Sequence, residues 1–134
     1  MSVIRYPAVF HRSDDSGYWI EFPDLPGCLT EGEDEIDAYE MAKDALSLYL
    51  DTSNDLYERT FAAPSSCASI LMEYPGELVM LIEVEPDHYA RKYKTRAIKK
   101  TLTIPEWLNE KAVKADINFS QLLQEAIKEK LNLD

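Results

Sequence analysis

Long apolar runs are missing from this chain, and nothing in it approaches the ~20 consecutive apolar residues of a membrane-crossing helix. Cysteine is scarce: Cys28 and Cys67 are too few for a disulfide framework and do not stand at a metal-ligand spacing. Free thiols are the expectation. Histidine is scarcer in effect, since His11 and His88 each lack a second histidine at ligand distance in sequence. The opening stretch MSVIRYPAVFHRSDD has neither an apolar core nor a small-residue cleavage site, so a cytoplasmic location is expected. Positive charge is nearly absent from the first two thirds. Residues 1–90 hold four Lys and Arg against nineteen Asp and Glu, a net −15, whereas residues 91–134 hold ten against six, a net +4. Such asymmetry suggests two tasks. The acidic part repels nucleic acid and attracts a basic partner. The basic part, with six of its ten cations between Arg91 and Lys100, either neutralises phosphates or is a solvated linker.

What is present is a globular composition, 46% hydrophobic over 134 residues, enough for one ordinary domain or two small ones. Residues 3–11, VIRYPAVFH, and 18–22, YWIEF, are rich in β-formers and flank the turn chemistry of RSDDSG, which predicts a hairpin. PDLPG, residues 23–27, cannot be strand interior, because two prolines remove ladder donors. CLTE supplies a short third strand before Gly32. Between about Glu35 and Leu50, Ala38, Ala42, Ala45 and Tyr49 recur at helical spacing, with acidic residues 33–37 at the positive end of the helix dipole. Residues 51–63 read as a helix end and loop. Residues 64–76 suggest a short helix capped by Ser65 or Ser66 and stopped before Pro75. ELVMLIEVE, residues 77–85, is almost continuously apolar and predicts a strand placed centrally or under good cover. The expected fold class is α+β, a β-β-β-α-β unit with a helix packed on a small sheet, followed by a short helical turn and linker.

The remainder follows a different pattern. In KKTLTIPEWLNE, residues 99–110, Thr101 and Thr103 share one face of a strand and Leu102 and Ile104 the other. Pro105 suits the first turn of a helix, and Leu108, Ala112 and Ala115 form its stripe. Asn118 and Gln121 read as a capping box, with Gln121 reaching back. The second helix carries Leu122, Leu123, Ala126, Ile127 and Leu131. About 35 residues with one strand cannot close a core alone. A two-fold dimer solves this, its strands paired as an antiparallel ribbon and its four helices sharing one core. Pairing of such dimers into tetramers is left open.

This strand, proline, helix, turn and Asn-x-Ser-Gln resembles a ribbon-helix-helix DNA-binding domain. The resemblance implies that the ribbon enters the major groove of operator double-stranded DNA, with Lys99, Thr101 and Thr103 facing bases. The amides of Asn118, Phe119 and Ser120 would hold a phosphate. Leu102, Ile104, Leu108, Leu122, Leu123 and Ile127 would form the dimer core. Further upstream, YWIEFPDLPGCLTEGE (residues 18–33), with Tyr6 before it and Glu40–Ala45 after it, resembles the antitoxin domain of the HicB family. That resemblance implies a partial ribonuclease-H-like or dsRNA-binding-like fold. It also implies a partner, the small basic ribonuclease toxin HicA, which HicB-type proteins bind and block while repressing their shared operon. Residues 1–90 are then the toxin-binding domain, 91–98 a basic linker and 99–134 the ribbon-helix-helix domain. Asp24, Leu25, Pro26, Glu31 and Glu33 are the expected toxin-facing residues, with a local side-chain-to-backbone turn bond as the alternative task of Asp24.

Catalytic readings are weaker. The carboxylates Asp14, Asp15, Glu31, Glu33, Asp34 and Glu35 have the oxygen chemistry of a divalent-ion site, but such runs are usually turns and solvated helix starts. Cys28 has no His or Lys close in sequence and reads as a small core residue. Trp107 reads as dimer core or rim. No cofactor, metal or membrane partner is expected, and no catalysis. The competing readings are a ribonuclease-H-like metal-dependent nuclease and a plain repressor with a sensing N-terminal domain.

Overall fold

The computed structural model describes residues 3–14, 16–53 and 55–133. Asp15, one of the carboxylates weighed above, lies outside the described residues. The chain divides into two compact units, one running to Thr95 and one starting at Arg96.

The first unit is α+β. Its strands are β1 (Ile4–Arg12), β2 (Tyr18–Glu21), β3 (Leu29–Gly32) and β4 (Leu78–Val84), and its helices are α1 (Glu35–Leu50), α2 (Cys67–Glu73) and α3 (His88–Tyr93). The strands form one antiparallel sheet in the order β3-β2-β1-β4. β1 is the covered strand, with Tyr6 to Phe10 buried without interruption. Tyr6, Ala8 and Phe10 share one sheet face with Ile20, Ile82 and Val84, and they pack with Ala38, Ala42 and Leu46 of α1 in the main core. The opposite face carries buried Pro7 and Val9, and α2 packs against β4 and β1.

The expectation of a central position for β4 is corrected. It is an edge strand whose side chains alternate: Ile82 and Val84 are buried, whereas Leu81 is 50% exposed. A continuous apolar run meets the demands of two covered faces, but here cover is complete only at Ile82 and Val84, and Leu78 on the same face is 41% exposed.

Local chemistry explains the helix starts. Asp34 caps α1 by accepting from the Asp37 amide at 2.7 Å, and Asp37 accepts in turn from the Glu33 amide at 2.9 Å. Ser66 caps α2 by accepting from the Ser69 amide at 3.1 Å. The loop between β2 and β3 is closed by backbone bonds from Leu25 to Phe22 (2.9 Å) and from Cys28 to Leu25 (3.0 Å), with Gly27 at φ +86°. That left-handed angle is what the motif glycine supplies.

The second unit holds α4 (Glu106–Lys114) and α5 (Phe119–Lys130). Asp116 takes the left-handed conformation after α4 at φ 58°. Its amide reaches the Val113 carbonyl at 3.0 Å while the Ile117 amide reaches that of Ala112 at 3.1 Å, a Schellman closure with aspartate where glycine is usual. Asn118 caps α5 through the Gln121 amide at 3.0 Å. The reciprocal half of the capping box is absent, because Gln121 donates to Glu125 at 3.1 Å rather than reaching back. Residues 96–105 have no strand pairing within the single chain.

Candidate functional site

The Pro-Asp-Leu-Pro-Gly-Cys motif is first a structural device. Asp24 accepts from the Ser65 amide at 2.8 Å and from its hydroxyl at 2.6 Å. This ties the β2–β3 loop to the approach of α2, a long-range staple in place of the local turn bond considered above. Leu25 is 1% exposed and belongs to the core, so its side chain anchors the loop and presents no contact surface. Pro26 is exposed, and its carbonyl accepts from the Tyr49 hydroxyl at 2.8 Å. Cys28 is buried, and burial pushes its thiol up to about 12.

Glu31 and Glu33 are exposed. With Trp19, Asp37 and Met41 they line an open concavity of about 790 Å3 at the end of β3. Trp19, Leu29, Met41 and Leu48 are exposed apolar residues along this side of the sheet and α1. Sequence reasoning did not single them out. Leu29 and Glu31, two residues apart on β3, share one face of the sheet with Trp19, and that spacing was the one available signal.

His11 stacks on Trp19 with ring centroids 3.9 Å apart, and its ring nitrogens lie 3.0 Å from Glu21 and 3.5 Å from Glu77. Tyr74 donates to Glu21 at 2.8 Å, and that bond with the carboxylate holds the phenol above its ordinary pKa. His88 belongs to a second cluster. The Asp44 carboxylate, buried in α1, lies 2.9 Å from His88 Nε2 and accepts from Lys92 at 3.1 Å and from the Tyr93 hydroxyl. Burial alone raises this carboxyl, but the bonds from Tyr93, His88 and Lys92 outweigh it and hold its pKa below the usual value. The seam continues along α1, where Ser47 accepts from the Tyr89 amide at 2.9 Å and Asp51 accepts from Lys94 at 3.0 Å. Three of the six cations between Arg91 and Lys100 are thus ion-paired inside the first unit, counting Arg91 with Asp87. Among the described residues no group of three or more His, Cys, Asp or Glu has metal-binding geometry.

In the second unit Ala112 is the one buried residue among those described. Leu102 is 65% exposed and Leu122 50%, with Ile104, Leu108 and Ile127 also exposed and Leu123 partly so. Leu102, Ile104, Phe119, Leu122, Leu123 and Ala126 line a hollow of about 520 Å3. Lys99, Thr101 and Thr103 are exposed, as are Asn118 and Ser120 at the start of α5.

Residues 6–127 match the family model described as HicB_like antitoxin of bacterial toxin-antitoxin system. Antitoxin HicB 1 of Photorhabdus laumondii is 44% identical over 43 residues, 32% of this chain and 28% of the relative. Antitoxin HicB 2 of the same organism is 35% identical over 78 residues, 56% of this chain and 52% of the relative. The chain therefore matches about half the length, or less, of these two curated relatives. Among solved structures, a chain of a toxin-antitoxin complex from Streptococcus pneumoniae is 25% identical, with a TM-score of 0.54 over 96% of this chain and 99% of that one.

Proposed function

This chain belongs to the HicB_like antitoxin family of bacterial toxin-antitoxin systems, and we propose that its first unit neutralises a small basic HicA-type ribonuclease while its second represses the operon. It acts by binding in the cytoplasm, without catalysis. The observation that carries this reading is the contrast between the units. Residues 1–95 hold seven Lys and Arg against nineteen Asp and Glu, a net −12, and residues 96–134 carry +1. The first unit has a full core and an anionic surface, suited to masking a basic RNA-binding enzyme. The second has its aliphatic residues exposed and needs a second copy to cover them.

In the dimer, Leu102 and Ile104 from two paired strands would close over Leu108, Leu122, Leu123 and Ile127. Pairing would turn Lys99, Thr101 and Thr103 outward into the major groove. The opening amides of α5 at Asn118, Phe119 and Ser120 would meet a phosphate. Gel-shift titrations beside sedimentation test this. Thr101→Ala and Thr103→Ala should relax base preference in an intact dimer, whereas Leu102→Ala should weaken dimer and DNA binding together. Threonine variants with an unchanged ratio of operator to random-DNA affinity would remove the strand from the reading role.

A further inference from the structure

We propose that the toxin docks along the open edge of β3 and adds an extended segment there as a fifth strand. The inference rests on the antitoxin reading above and names the surface that carries it. β3 is paired with β2 on one side and with no strand on the other among the described residues. Two concavities flank this edge and share Met41. One, of about 790 Å3, holds Trp19, Glu31 and Glu33, and the other, of about 300 Å3, holds Leu29 and Leu48. None of the residues lining either concavity is cationic. Leu29 is 62% exposed and Trp19 41%.

An added strand satisfies main-chain donors and acceptors along its length, and its alternate side chains enter pockets on either side of the sheet edge. Here one end of the edge offers carboxylates for Lys or Arg beside an indole face, and the other offers a notch where Leu29 and Leu48 meet the Tyr89 and Tyr93 rings beside Asp44. A basic partner with an aliphatic residue in an extended segment fits both. The opposite edge, β4, is electrostatically mixed: its concavity of about 520 Å3 is lined by Lys43, Arg91 and Lys92 as well as Glu83 and Glu85. A basic partner therefore gains less there.

The test uses the full chain and the small basic protein of the neighbouring reading frame, co-expressed and purified. Glu31→Lys with Glu33→Lys is compared with Glu35→Lys and Glu85→Lys. Both pairs change the net charge equally, so long-range attraction falls alike and the difference reports local contact. The β3 pair should lose roughly tenfold or more in affinity beyond the control pair. Leu29→Asp should weaken binding without lowering the melting temperature. In the complex, hydrogen exchange should slow at residues 29–32 and stay unchanged at 78–84. Equal losses for the two pairs, or protection at 78–84 in place of 29–32, would overturn the surface and leave the antitoxin reading standing. A wild-type chain that forms no complex would overturn both.

Discussion

Beneath α1 the Cys28 sulfur lies 3.7 Å from the Ala45 carbonyl, and burial pushes its pKa up to about 12. Thiolate is the reactive form, so native protein at pH 8 should be alkylated by iodoacetamide at partly exposed Cys67 and spared at Cys28. Mass spectrometry of labelled peptides, with and without denaturant, checks this. Because the folded state holds this proton longer than the unfolded chain, the contribution to stability falls as pH rises above ~8.5. Gly32 has a different constraint. A Cβ there would stand 2.4 Å from the Ala38 Cα and 2.5 Å from its amide nitrogen, and helix backbone does not yield easily. Gly32→Ala should cost roughly 3 kcal/mol or more. Gly27→Ala meets open space and carries the left-handed angle alone, about 1 kcal/mol. Urea midpoints should rank them in that order. Gly32 was legible in the sequence as the residue after the CLTE strand, but its cause was not, since it requires the start of α1 to pass directly over the end of β3.

Helix periodicity delivered α1 at Glu35–Leu50 and the Asn118 cap of α5, because spacing and capping are local. The position of β4 at the edge was not legible, since edge and centre differ by topology and the side-chain pattern alone does not separate them. Nor was the task of α3. Its residues look like linker, yet His88, Lys92 and Tyr93 converge on buried Asp44 from more than forty positions away. A carboxyl whose folded pKa is depressed lends stability that is complete above its unfolded value near 3.9 and lost as pH falls through the folded one. Asp44 behaves this way, as does Asp51, lowered to about 2 by bonds from Ser53 and then Lys94. The docking of α3 should therefore loosen below about pH 4. Exchange rates of the amides at 88–94 should show that step in the wild type. Asp44→Ala should remove most of it and cost about 1.5–3 kcal/mol at neutral pH. An unchanged acid profile in that variant would assign the acid step to Asp51 instead.

On the scale of the whole molecule, the charge asymmetry was readable residue by residue, but the boundary was not. The basic run from Arg91 to Lys100 counts as one feature in sequence, and the fold divides it: Arg91, Lys92 and Lys94 pair with acids of the first unit, whereas Arg96, Lys99 and Lys100 belong to the second. Local sequence carries no signal of this, because the partners Asp44 and Asp51 sit on α1. The division fixes where a fragment made to test toxin binding by the first unit should end. A chain stopping at Pro86 strips α3 from α1, removing the Tyr89 and Tyr93 rings packed 4.7 Å apart and the donors to Asp44. A chain stopping at Thr95 keeps them. The charged hydrogen bonds at Asp44 are worth about 1.5–3 kcal/mol, so for a unit of this size the shorter fragment should melt on the order of 10 °C lower. The longer fragment should melt as a single cooperative unit, bind the toxin and rescue toxin-arrested growth without binding operator DNA. Calorimetry of both fragments beside the growth assay measures each part. Equal melting temperatures would show that α3 is not part of the fold, and a stable 1–95 fragment that fails to rescue would place toxin neutralisation beyond the first unit.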